Sequence, residues 1–180
     1  MLTTPSRRGS GLLATWDLEL TLLMNRSLSL RGVQPFFALI SWLGNGKFWY
    51  ALLVLLPLFS SATGRRATTH MLFVGIVNLV IYKLVKSLTQ RPRPCNAYHQ
   101  IMKGAVPLDE FSFPSGHTMH AVGFSIVAIA WFPQLTALLA AFTLLIALSR
   151  VILGLHYPTD VLLGAALGFA VAKLSFLFIG

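Results

Sequence analysis

Apolar residues run along this chain in blocks long enough to cross a lipid bilayer, and polar residues gather between the blocks. About 20 mostly apolar residues span the hydrocarbon layer as a helix. Five stretches approach that pattern: 48–60, with an earlier start at Pro35 as the way to make up its length, then 69–88, 115–132, 135–153 and 158–178. None alternates with the period of two that marks a strand. Residues 12–30 read differently. Leu12, Leu13, Trp16, Leu20, Leu23 and Met24 recur near helical spacing, with Asp17, Glu19 and Asn25 between them. That pattern predicts an amphipathic helix lying at the membrane interface, with a sixth, tilted span as the alternative. The expected fold is therefore all-α, a polytopic transmembrane helical bundle of five to six spans. No internal repeat or low-complexity tract divides it, and 1–180 reads as a single domain.

Composition sharpens this picture. Hydrophobic residues make up 56% of the chain and charged residues 11%, against roughly a quarter charged in a soluble domain; the mean hydropathy is +0.73. Fourteen Lys and Arg against five Asp and Glu give a net charge of +9, which suits an anionic partner. Several of these cations sit at the ends of apolar blocks rather than in a solvated stripe, so phosphorylated lipids and the bilayer fit better than nucleic acid. The single Cys95 excludes an internal disulfide. The first ten residues, MLTTPSRRGS, lead into a stretch broken by Asp17 and Glu19 and predict no cleaved signal.

The order of spans fixes which connections share a membrane face. Loop 89–114 is 26 residues long and polar; link 154–157 is short. Two spans separate them, so they meet on one face, while Gly64-Arg65-Arg66 and Pro133-Gln134 fall on the other. A long polar loop in a compact domain is commonly functional.

Three clusters with chemical potential fall on the shared face. In the first, Lys86 is followed by Arg91-Pro92-Arg93-Pro94, where the prolines end the helix and turn cations into the loop. Arginine offers a planar fork for phosphate oxygens and lysine a compact charge. Lys83 and Arg91 are expected to snorkel at the helix end instead. The second cluster is Phe113-Pro114-Ser115-Gly116-His117, directly before an apolar helix. Ser115 can cap that helix, Gly116 allows a ligand close to the backbone, and free N–H groups there attract anions. His117 could give a proton to a leaving oxygen, whereas His120 reads as packing or surface. The third cluster runs from Ser149-Arg150 to His156 and Asp160. Pro158 suits the first helical turn and sets Asp160 close behind His156, where a carboxylate can fix an imidazole tautomer. A plain Arg150–Asp160 ion pair joining two helices is the bland alternative. Spacing alone does not choose between His156 and His117 as nucleophile.

These stretches resemble the signature of the type 2 phosphatidic acid phosphatase family, shared with vanadium haloperoxidases and some bacterial acid phosphatases. Its pattern is Lys-x6-Arg-Pro, then Pro-Ser-Gly-His, then Ser-Arg-x5-His-x3-Asp. Lys86, Arg93, Pro94, residues 114–117, Ser149, Arg150, His156 and Asp160 satisfy all eleven positions in order. The signature covers residues 86–160, with 1–45 outside it. The resemblance implies that His156 attacks phosphorus to form a phosphohistidine, that Asp160 orients it, and that His117 protonates the leaving group. Lys86, Arg93, Ser115, Gly116 and Arg150 would hold the phosphate oxygens, with no metal and no cofactor. It implies a lipid phosphatase of the inner (plasma) membrane, its site on the extracytoplasmic face. Candidate substrates are phosphatidylglycerol phosphate, phosphatidic acid, undecaprenyl diphosphate or a phosphorylated lipid A. A phosphotransferase using the same intermediate and a non-catalytic anion transporter are the competing readings. The composition argues against the soluble haloperoxidase branch.

Overall fold

A computed structural model describes residues 11–179, so the expectation of an uncleaved N-terminus lies outside the described residues. Those residues form helices and no strand; one isolated backbone bridge joins Pro92 to Phe111. Helix α1 (Leu12–Asn25) leads through a single turn at Arg26–Ser29 into α2 (Val33–Phe59). Helix α3 (Ser61–Thr89) follows, then a one-turn helix at Pro94–Ala97 and the polar loop. The chain ends with α4 (Gly116–Trp131), α5 (Thr136–Ile152) and α6 (Pro158–Ile179).

Among the described residues, four segments are long and apolar enough to cross a membrane: Val33–Phe59, Ser61–Thr89, Pro133–Ile152 and Pro158–Ile179. The first starts near Pro35, as its length required. The second begins well before residue 69, which corrects the expected loop at Gly64-Arg65-Arg66: these residues lie in the opening turns of α3. Gly64 permits that tight return. A Cβ there would stand 2.0 Å from the Leu56 carbonyl oxygen, so only glycine lets α3 start directly after α2.

Helix α4 has 16 residues, or about 24 Å at 1.5 Å per residue. It is the centre of the bundle, in contact with α3, α5 and α6. Its contact with α6 is set by a Gly-x-x-x-Gly step. A Cβ at Gly164 would meet the Ser115 carbonyl oxygen at 2.5 Å, and one at Gly168 the Met119 carbonyl oxygen at 2.3 Å. Small residues at this spacing let membrane helices approach backbone to backbone. The approach brings the start of α6, with Asp160, beside the start of α4. Trp49, Phe124, Phe142, Met71, Leu139 and Ile146 fill the core farther along the bundle.

Helix α1 is 14 residues long, about 21 Å, short of a roughly 30 Å hydrocarbon core. It turns its polar side inward: Asp17, Thr21 and Asn25 are buried, while Leu12, Leu13, Trp16 and Leu23 are exposed. Asn25 ties α1 to the rest through bonds to the carbonyls of Met102 and Ile152, 2.9 Å each.

Candidate active site

The ends of α3 and α5 and the starts of α4 and α6 meet at one end of the bundle, and loop 90–113 closes over them. The four-residue turn before α6 carries His156. Gly154 makes that turn possible with φ +71°, and the amides of Leu155 and His156 both donate to the Arg150 carbonyl at 3.1 and 3.0 Å. His156 is thus fixed by backbone geometry and fully buried. Its Nε2 lies 3.1 Å from Arg93 Nη1. Its Nδ1 has no hydrogen-bond partner and faces Asp160 Oδ2 at 3.6 Å. Burial, then the charges of Arg150, Arg93 and Lys86, hold its pKa well below the usual histidine value. The ring is neutral at neutral pH, and because a guanidinium only donates, its Nε2 lone pair accepts from Arg93.

Asp160 does not pair with Arg150, as the bland alternative had it. Its Oδ2 accepts the Tyr157 amide at 2.8 Å and its Oδ1 accepts from Arg91 at 2.7 Å. Arg91 is therefore no snorkelling residue. It also donates to Asp17 at 2.8 Å and to Thr159 at 2.9 Å, and its guanidinium lies 4.0 Å over the Tyr157 ring. Asp17 completes the cluster by accepting the Thr159 amide at 2.9 Å and its hydroxyl. A buried carboxylate without such partners would lose its charge, because desolvation disfavours the ion.

Arg150 is buried and donates to Ser41 Oγ from α2, with its Nε unpartnered. Ser115 caps α4: Thr118 N–H points to its Oγ at 3.5 Å, and its own amide donates to the Asp160 carbonyl at 2.9 Å. Gly116 faces the Tyr82 ring, which a Cβ would meet at 3.3 Å. His117 is hydrogen-bonded through Nε2 to Asn45 Oδ1. Asn45 reaches it because α2 breaks at Gly44-Asn45-Gly46, with φ +110° at Gly46. His120 is held by its own helix and by α3, its ring nitrogens near the Gly116 and Gly75 carbonyls at 2.9 and 3.2 Å.

Lys86 and Arg93 share a carboxylate. Lys86 Nζ donates to Asp109 Oδ1 and Oδ2 at 2.6 and 2.8 Å and to the Phe111 carbonyl at 2.8 Å. Arg93 donates to Asp109 Oδ1 at 2.7 Å, to the Asp109 carbonyl at 3.0 Å and to the Leu155 carbonyl at 2.7 Å. Burial pushes the Asp109 carboxyl up, but Lys86 and Arg93 outweigh it and hold the pKa below its ordinary value.

The seven side chains expected from the sequence, and the backbone of Gly116, lie at this end of the bundle. Five residues outside that set join them: Asp17, Ser41, Asn45, Arg91 and Asp109. Three of the five come from the first 45 residues, which lie outside the signature. An acidic residue inside an apolar block was the available signal for Asp17; Ser41 and Asn45 gave none.

A cavity of about 780 Å³ opens from this site between α2 and α3. Lys86, Asp109 and His117 stand at its polar end, and Trp49, Leu53, Leu72, Ile76 and Leu79 line its length.

Comparison with known proteins agrees with this geometry. A family model described as the PAP2 superfamily matches residues 67–180. The undecaprenyl-diphosphatase BcrC of Bacillus subtilis is 33% identical over 132 residues, covering 72% of this chain and 67% of that protein. The lipid A 1-phosphatase of Rhizobium etli is 30% identical over 115 residues, 62% of this chain and 48% of that one. Among solved structures, Aquifex aeolicus LpxE superposes with a TM-score of 0.78 at 26% identity, covering 91% of this chain and 96% of that one. A transmembrane PAP2-type phosphatidylglycerolphosphate phosphatase from Bacillus subtilis gives 0.75 at 25% identity, covering 94% and 87%. Fold, site and relatives together show that this chain is a multi-pass membrane protein belonging to the PAP2 superfamily of phosphatases.

Proposed function

We propose that this PAP2 phosphatase hydrolyses a lipid phosphomonoester or diphosphate through a phosphohistidine on His156. The observation that carries the reading is the setting of His156: a neutral buried imidazole flanked by Arg93, Arg150 and Lys86, the last of which stands at the polar end of an apolar cavity. Phosphoryl transfer asks chiefly for positioning and for charge around the equatorial oxygens, and these three cations provide it. Ser115, Gly116 and the first amides of α4 add donors at a helix N-terminus.

In the first step, Arg93 turns its Nη1 donor from His156 Nε2 to the phosphate oxygens, and Nε2 bonds to phosphorus as the bond to the leaving oxygen breaks. His117, which takes up a proton when the anionic substrate binds, gives it to that oxygen, with Asn45 orienting the ring. Asp160 stabilises the positive charge that develops on the His156 ring, from its place beside Nδ1. In the second step, water attacks the phosphohistidine, His117 takes its proton, and His156 returns to neutral. Each residue handles one charge at one place, and no metal is required.

The cavity supports a lipid substrate, because its apolar length suits a hydrocarbon chain whose phosphate lies against Lys86 and His117. The lipids named for the relatives, undecaprenyl diphosphate, lipid A and phosphatidylglycerol phosphate, define the panel to test. The reading places the protein in the inner (plasma) membrane with the site on the extracytoplasmic side; Arg65 and Arg66 at the far end of α3 suit a cytoplasmic face there. The test is phosphate release from that panel by detergent-purified protein in excess chelator, beside His156→Ala. Release should persist in chelator and fall by several orders of magnitude in the variant. Equal turnover by the variant, or loss of activity to the chelator, overturns the mechanism.

A further inference from the structure

The two cations expected to hold phosphate are already holding an anion. Asp109 Oδ1 bridges Lys86 Nζ at 2.6 Å and Arg93 Nη2 at 2.7 Å, and its Oδ2 takes a second Lys86 bond at 2.8 Å. With the Phe111 carbonyl, this engages all three ammonium donors of Lys86. The partners differ sharply in freedom. The side chains of Lys86 and Arg93 are 8% and 2% exposed, whereas that of Asp109 is 40% exposed. Asp109 rides on the polar loop, and with Leu108 and Phe111 it lines the cavity through which a lipid headgroup would arrive. The cations are buried and the carboxylate is the exposed member, open to the cavity. A phosphate can bind Lys86 and Arg93 only by displacing it.

We propose that Asp109 is a specificity-determining residue, an internal competitor that admits doubly charged phosphates and turns away phosphodiesters. The inference rests on the reading of Lys86 and Arg93 as the phosphate seat. A phosphomonoester carries about −1.5 to −2 at neutral pH, and a lipid diphosphate at least as much. Either gains attraction from three clustered cations when it replaces a single carboxylate. A phosphodiester carries one charge, spread over two oxygens, and gains nothing by the exchange. Phosphodiesters are the abundant headgroups of a bilayer, so without Asp109 those that enter the cavity would occupy the cations. Discrimination then comes from an element that repels the wrong ligand, not from a tighter fit to the right one.

Turnover of a lipid phosphomonoester in mixed micelles, titrated with phosphatidylglycerol as the phosphodiester and separately with orthovanadate, tests this. Wild type should be insensitive to phosphatidylglycerol at mole fractions that inhibit Asp109→Asn, with the inhibition constant at least about tenfold lower in the variant. Vanadate should bind the variant as tightly as wild type or more so. Asp109→Ser, which removes the charge at an exposed position, should behave alike and guards against a folding effect of one substitution. Equal phosphodiester sensitivity in wild type and both variants, or weaker vanadate binding in them, overturns the proposal. Lys86→Met separates the two readings: vanadate inhibition that survives it removes the phosphate seat itself. Vanadate inhibition lost with Lys86, beside unchanged phosphodiester sensitivity in the Asp109 variants, removes the competitor alone.

Discussion

The proposed mechanism asks two usually conflicting things of His156, that it be buried among cations and yet attack phosphorus. Its neighbours solve this by suppressing protonation, since desolvation and the charges of Arg150, Arg93 and Lys86 all act in that direction. The ring therefore stays neutral down to a pH well below 6.5. The acid limb that His156 imposes on kcat/KM should lie well below that value, and Arg150→Gln should move it upward, because removing a nearby cation eases protonation. A limb that stays in place in the variant would argue against electrostatic control of this histidine. Asp17 acts at one remove. It shares Arg91 with Asp160 and fixes the Thr159 amide, so it is a positioning residue. Asp17→Asn leaves Arg91 to Asp160 alone and draws that carboxylate's charge away from His156. The expected result is a kcat lower by about tenfold at nearly constant KM, as for loss of an interaction made only in the transition state. A rise in KM with kcat intact would assign Asp17 to binding instead.

At the scale of elements, the site depends on how closely α6 meets α4. Gly164 and Gly168 bring α6 against the backbone at Ser115 and Met119, and that contact carries Asp160 to its place behind His156. Gly164→Ala puts a methyl group against a carbonyl oxygen that cannot step aside. It should cost about 1–3 kcal/mol of stability as overpacking, read as a lower Tm in detergent, together with reduced kcat. Unchanged Tm and kcat would mean that α6 has more freedom than its glycines suggest. The helices of the bundle were legible in the sequence from the lengths of its apolar blocks, although four described segments, and not the expected five or six, are long and apolar enough to cross a membrane. The kink at Gly44-Asn45-Gly46 was not legible, since its two glycines sit inside a stretch that otherwise reads as helix. With it went Asn45 and Ser41, small polar residues that gain meaning only when α2 packs beside α4 and α5. Arg91 was misread for a related reason. A cation at a helix end resembles a snorkelling one until its partner, 74 positions earlier in Asp17, is brought beside it.

For the molecule as a whole, the proposed function turns on how the cavity meets the site, at Lys86, Asp109 and His117. The cavity lies between α2 and α3 and is apolar along its length, so it should serve the hydrocarbon part of a substrate and leave the reacting end untouched. Ile76→Trp, which fills the middle of the cavity, should raise KM about tenfold or more for a long-chain lipid phosphate. It should leave a short water-soluble phosphate ester nearly unaffected. Equal losses for both substrates would mean that the chain lies elsewhere. The polar inner side of α1 belongs to the same scale. Through Asp17 and Asn25 this short helix is tied to the loop and to the start of α6.

The central claim is covalent: phosphorus passes through His156. Rapid quenching into alkali during turnover of a lipid labelled in its phosphate, followed by mapping of the labelled peptide, tests it most directly. The account predicts an alkali-stable, acid-labile phosphate on the peptide containing His156, absent from His156→Ala. Phosphate on His117 or another residue, or sustained turnover with no labelled protein at any time, would contradict it.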